Sequence, residues 1–139
     1  MKGNVIIFLF ICSALLFSGC SIDDDEPNFH FTALEITAAE LPESFELNRT
    51  YRISFTYVLP DGCTYFERPD VTTADTTVRN VVAIGVVRTD DEACTQAIVE
   101  GEGFFNFSVI YNEPYTFRFF QGEDSNGEAQ FLEVIVPLE

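Results

Sequence analysis

Beyond Lys2 the chain contains no lysine, it has no tryptophan anywhere, and its only histidine is His30. Each scarcity removes a class of chemistry. Six arginines (Arg49, Arg52, Arg68, Arg79, Arg88 and Arg118) stand against 23 acids, so the formal charge of −16 becomes −17 once Lys2 is set aside. A polyanion is repelled by phosphates, which disfavours nucleic acid and direct docking on anionic lipid and leaves neutral, cationic or metal-bridged partners. His30 has no second histidine or cysteine close by in sequence, so it forms no zinc set. Any Ser-His-Asp or Cys-His arrangement would depend on this one residue, which sits at a strand edge between Phe29 and Phe31. Without tryptophan the preferred stacking platform for sugars is missing, and Tyr65, Phe66 and Tyr111 are the available substitutes. Helical periodicity is lacking too: Ala38-Ala39-Glu40-Leu41 is short and Pro42 ends it.

Long apolar runs are equally scarce. The one present, Val5 to Phe17, is broken only by Cys12 and Ser13 and follows the positive Lys2. At roughly 13 residues it is too short to cross ~30 Å of hydrocarbon as a helix, which takes about 20, and it reads as the core of a signal peptide. Leu16-Phe17-Ser18-Gly19-Cys20 then resembles the bacterial lipobox, with Phe17 where the pattern usually carries an aliphatic. The resemblance implies cleavage before Cys20 and acylation of its thiol, giving a protein tethered to a membrane by lipid without spanning it. Ser21-Ile22-Asp23-Asp24-Asp25-Glu26 resembles the acidic signal that follows the lipidated cysteine in surface-exported lipoproteins of Bacteroidota. It implies an outer-membrane lipoprotein on the cell surface, with Ser21, Asp23, Asp24, Asp25 and Glu26 as the address. The same acids also make a self-repelling spacer. Residues 1–19 are thus expected to be signal peptide, 20–28 lipidated cysteine and acidic tether, and 29–139 a single domain. The 120 residues after cleavage match one domain.

With Cys12 removed and Cys20 acylated, Cys63 and Cys94 remain as an even pair, which in an exported protein is expected to bond. The loop of about 30 residues they close corresponds to ~3–4 kcal/mol in the chain-entropy model.

Period-two patterns dominate the rest. Tyr51, Ile53, Phe55, Tyr57 and Leu59 alternate with Arg52, Ser54 and Thr56, the mark of a strand with one face on a core, and Pro60-Asp61-Gly62 forces a turn. Further strands are expected over Phe31–Thr37, Cys63–Arg68, Thr77–Arg88, Phe104–Tyr111, Tyr115–Gln121 and Gln130–Val136. Thr77–Arg88 is apolar on both faces, so it should be central, with Gly85 marking a bulge or close approach. Asn126-Gly127 signals a hairpin, because both residues tolerate positive φ. About seven strands and no helix predict an all-β fold, an antiparallel β-sandwich, with a small β-barrel as the alternative. Glu113-Pro114-Tyr115-Thr116-Phe117-Arg118-Phe119 resembles the penultimate strand of immunoglobulin-like and fibronectin-like domains. That resemblance implies a tyrosine tying the strand's corner to the backbone.

No active-site constellation emerges. Asp90-Asp91-Glu92 and Glu100-Gly101-Glu102 read as solvated acids, and no catalytic or metal-ligating residue is assigned. Asp61, Asp90-Asp91-Glu92 and Asp124-Ser125-Asn126-Gly127-Glu128 offer hard oxygen ligands, so structural calcium is the one cofactor entertained. The last stretch, however, lacks the first Asp and distant Glu of an EF-hand. Alternation sends Phe105, Phe107, Phe117 and Phe119 to the core. Phe104 and Phe120 take the opposite parity near Arg118, and these three form the expected interaction surface. The resulting expectation is a non-enzymatic, lipid-anchored module on the cell surface that binds a protein or glycan. A periplasm-facing structural subunit of an envelope complex is the alternative, and a small hydrolase comes third.

Overall fold

The computed structural model describes residues 28–90 and 93–139, and among these it contains eight strands and no helix. The strands are β1 (Phe29–Leu34), β2 (Ile36–Glu40), β3 (Thr50–Leu59), β4 (Thr64–Asp75), β5 (Val78–Arg88), β6 (Val99–Ser108), β7 (Tyr115–Glu123) and β8 (Ala129–Val136). They form a β-sandwich, open at its edges, of two sheets. The first joins β4, β5, β7 and β8 with β1, and the second runs β2-β3-β6. The strand expected over Phe31–Thr37 is divided at Glu35 and serves both sheets, so eight strands stand where about seven were expected. Leu34 enters the core from the first sheet and Ile36 from the second.

β5 is central, as its two apolar faces predicted. β4 pairs along one edge, while β1 (opposite residues 83–88) and β7 (opposite 78–81) share the other. The β5–β7 pair is parallel and the remaining strand pairs are antiparallel. In immunoglobulin domains strands A, B and E share one sheet while C, F and G share the other. β2-β3-β6 and β7-β8 follow that plan. The β4–β5 hairpin is turned round, so that β5 rather than β4 meets β7, and the reversal makes that contact parallel.

Alternation builds the core. Ile53, Phe55 and Tyr57 of β3 and Phe107 of β6 face Val81, Ala83, Tyr115, Phe117 and Phe119 of the first sheet. Rings bridge the layers: Phe107 meets Phe117 edge-on at 5.0 Å, and Phe66 stacks on Tyr57 at 4.4 Å. Inward Gly103 and Gly101 pair with Phe55 and Tyr57, whose rings lie across them, 2.5 Å from where a Cβ would stand. Gly85 is a close approach, under Leu34, and it also sits opposite the bulge in β4 between Phe66 and Arg68.

Two pins close one end of the sandwich, their rings 5.9 Å apart. The Tyr115 hydroxyl accepts the N–H groups of Ile110 (3.1 Å) and Tyr111 (2.9 Å), the corner tie expected of this strand. Phe45, fully buried in the β2–β3 loop, donates its N–H to Pro137 (2.8 Å) and accepts that of Glu139 (2.9 Å). Arg79 points inward and is buried. Its Nη1 donates to the carbonyls of Asp75 (3.0 Å), Thr76 (3.2 Å) and Val78 (3.0 Å), tying off the β4–β5 turn.

Asn126-Gly127 does sit in a hairpin turn between β7 and β8, but only Gly127 takes positive φ (+80°). Five residues, 124–128, lie between the two strands, and three of them fall inside the Asp124–Glu128 backbone bond. Asp124 N–H donates to Glu128 (2.9 Å), and the Asp124 carboxylate takes the N–H of Asn126 (2.8 Å), which holds Asn126 at ordinary φ.

Candidate functional site

Cys20, Ser21, Asp23, Asp24, Asp25 and Glu26 lie outside the described residues, as do Asp91 and Glu92. Cys63 and Cys94 are bonded, with Cα atoms 5.3 Å apart. Cys63 is buried just before β4, and Gly62 donates its N–H to Thr95 at 3.0 Å. The bridge thus fastens the exposed stretch 93–98, which carries the chain from the first sheet to the second, onto the start of β4.

The expected surface of Phe104, Arg118 and Phe120 is not one surface. Even-numbered residues point outward on both β6 and β7, but the two strands belong to different sheets, so outward means opposite directions. Phe104 lies on the outer face of the second sheet and is 48% exposed. Phe120 is half-buried on the outer face of the first, against Phe131 at 6.1 Å. Arg118 lies beside it, with Nε 2.9 Å from Glu133 and the guanidinium 4.5 Å over Phe131.

The arginine at Phe104 is Arg52, whose guanidinium lies 3.5 Å over the ring. Ser54 pairs with Phe104 and Arg52 with Asn106, so Arg52 and Phe104 are diagonal neighbours within reach of a long side chain. Stacking holds the cation in place and leaves the aromatic edge and the hydroxyl of Ser54 to solvent. Two open depressions adjoin on this face, one lined by Arg52, Ser54, Glu102, Gly103 and Phe104, the other by Ala38, Ala39, Glu40 and Thr56. The arrangement offers a cation on an aromatic plane, a hydroxyl and a carboxylate within one patch. Those groups suit recognition by stacking and hydrogen bonding.

A second exposed cluster was missed in the sequence. Phe31 (61% exposed) and Tyr65 (48%) stand on either side of Val86, and Phe29 (40%) meets Phe31 edge-on at 5.7 Å. The alternation of Phe29 and Phe31 is visible in the chain, but that both flank β5 beside Tyr65 depends on the pairing of β1.

The acids singled out as hard-oxygen donors are engaged locally. Asp61 accepts the N–H of Cys63 (2.9 Å) and the hydroxyl of Thr64 (2.8 Å), and Asp124 caps its own turn. Asp90 takes Asn28 Nδ2 (2.8 Å) and Arg88 Nε (3.2 Å), and its hydrogen bond with Arg88 holds its carboxyl below the usual aspartate range. Among the described residues no three His, Cys, Asp or Glu side chains gather in a group that could hold a metal ion.

Set against known protein families, curated proteins and solved structures, the chain matches none of them.

Proposed function

We propose that the protein is a non-enzymatic, lipid-anchored interaction module of the bacterial outer membrane, displayed on the cell surface, that binds a protein or glycan. Lipid on Cys20 holds it, the acidic residues after Cys20 carry it outward and space it, and the disulfide-bonded sandwich presents the ligand face. The observation that carries this reading is Phe104, an exposed aromatic held under Arg52 on the open outer face of the second sheet, with Ser54 and Glu102 beside it. An aromatic paired with an arginine is a common anchor of recognition surfaces, and here Phe104 stands in place of the missing tryptophan, whereas Phe66 is stacked on Tyr57 against the core.

The test is protease treatment of intact cells, with lysed cells as the control for intrinsic resistance. The parent is expected to be shaved. A variant with Asp23, Asp24, Asp25 and Glu26 changed to alanine is expected to be protected, and Cys20→Ala to leave the membrane fraction. A parent protected on cells but cut in lysates would overturn surface display in favour of the periplasm-facing accessory subunit.

A further inference from the structure

We infer that the aromatic end of the first sheet's outer face, formed by Phe29, Phe31 and Tyr65, rests on the bilayer that holds the acylated Cys20. This rests on the lipid-anchored reading above. Phe29 is the first residue of β1, and Phe29 and Phe31 are the first outward-facing side chains of the domain. Nine residues, 20–28, separate them from the end of the signal sequence, a span of roughly 30 Å when fully extended. The patch is therefore the part of the domain that the tether keeps nearest the lipid. Tethering also makes its contact with the bilayer intramolecular, so a few aromatic side chains suffice where a free domain would need many.

Charge distinguishes this face from its opposite. Asp70, Asp90 and Glu133 on the first sheet's side each hold an arginine, at 3.3 Å from Arg68, 3.2 Å from Arg88 and 2.9 Å from Arg118. The centre is apolar: Val86 lies between Phe31 and Tyr65, and the next row brings Ala33 beside Ile84. The outer face of the second sheet carries Glu40 and Glu102 near Arg52, with Glu100 farther along β6. In a chain of formal charge −16, the face turned to the headgroups is the one on which three acids are paired with arginines. Exposed aromatic rings with polar margins favour the interfacial zone of a bilayer. Docked in this way, the domain turns Phe104 and Arg52 away from the membrane.

Because the chain has no tryptophan, Phe31→Trp and Phe104→Trp each introduce a single tryptophan, excited selectively over the five tyrosines, on opposite faces. The acylated full chain, purified from cells that process it, is placed on phosphatidylcholine vesicles with and without brominated acyl chains. The Phe31→Trp emission is expected to shift to the blue and to lose at least half its intensity on brominated vesicles, while that of Phe104→Trp stays unchanged. Adding Phe29→Ser and Tyr65→Ser to the Phe31→Trp chain is expected to abolish the quenching while the chain still floats with the vesicles. Unquenched Phe31→Trp on vesicles that carry the chain would overturn the docking and leave the anchor standing. If the parent floats no better than Cys20→Ala, the anchored reading and the docking fall together.

Discussion

Gly101 and Gly103 contribute no side chain, and two aromatic rings of the core depend on that. With Phe55 and Tyr57 lying across them, a Cβ at either glycine would stand 2.5 Å from ring carbon, so the ring or the strand must move. Overpacking of this kind typically costs 1–3 kcal/mol. Gly103→Val is accordingly expected to lower unfolding free energy by about 2 kcal/mol in urea titrations, whereas Glu102→Ala, its exposed neighbour, should stay within roughly 0.5 kcal/mol. Residue-scale legibility was uneven for a physical reason. Gly101 reads in the sequence as a spacer between two acids, because its function is set by a ring on another strand. Tyr115 was legible, since its tie is local, four and five residues back along the chain. Arg79 was not, because nothing in the local pattern says that an arginine of odd parity points inward and closes a turn with its guanidinium.

Among the elements, β6 is the exposed edge least guarded by its backbone. Of the first sheet's edges, β4 carries Pro69 and two irregularities, and the β7–β8 pairing breaks register between Phe120 and Glu123. β2, the other edge of the second sheet, is short with an irregularity of its own, while β6 pairs with β3 over ten residues in unbroken register. Its protection comes from side chains, Glu100 and Glu102, since like charges directly opposite one another disfavour pairing with a second copy. Replacing both by threonine is expected to make the weight-average mass in sedimentation experiments rise with concentration more steeply than for the parent. Equal behaviour would assign protection of that edge to something other than charge. Most strands were legible from alternation, including the hairpin of β7 and β8 and the central place of β5, but β2 was not read as a strand of its own, and Pro69–Asp75 of β4 and Val99–Gly103 of β6 were not read as strand. Strand partnership was not legible: periodicity records which side of a strand is buried and carries no record of which sheet it joins. Phe104 and Phe120 share a parity and face opposite ways for that reason.

At the scale of the molecule, the disulfide and the Phe45 pin secure different regions. The bridge closes a loop of 31 residues that contains β4 and β5 and ends before β6. Cys63→Ser with Cys94→Ser is expected to cost ~3–4 kcal/mol in unfolding free energy while the β-sheet circular dichroism of the native state persists. Loss of the sheet signal at 25 °C would mean that the core alone is below the threshold for folding. Phe45 has a consequence in time rather than in energy. Its peptide is held by the carbonyl of Pro137 and the N–H of Glu139, and its ring packs into the core against Tyr51, Phe107, Tyr115 and Phe117. A nascent chain that has not yet reached residues 137–139 lacks both backbone bonds that fix the Phe45 peptide, so this clasp closes only after β8 is made. In a chain that emerges from its N-terminus, a clasp made by residues beyond β8 closes only once all eight described strands are out.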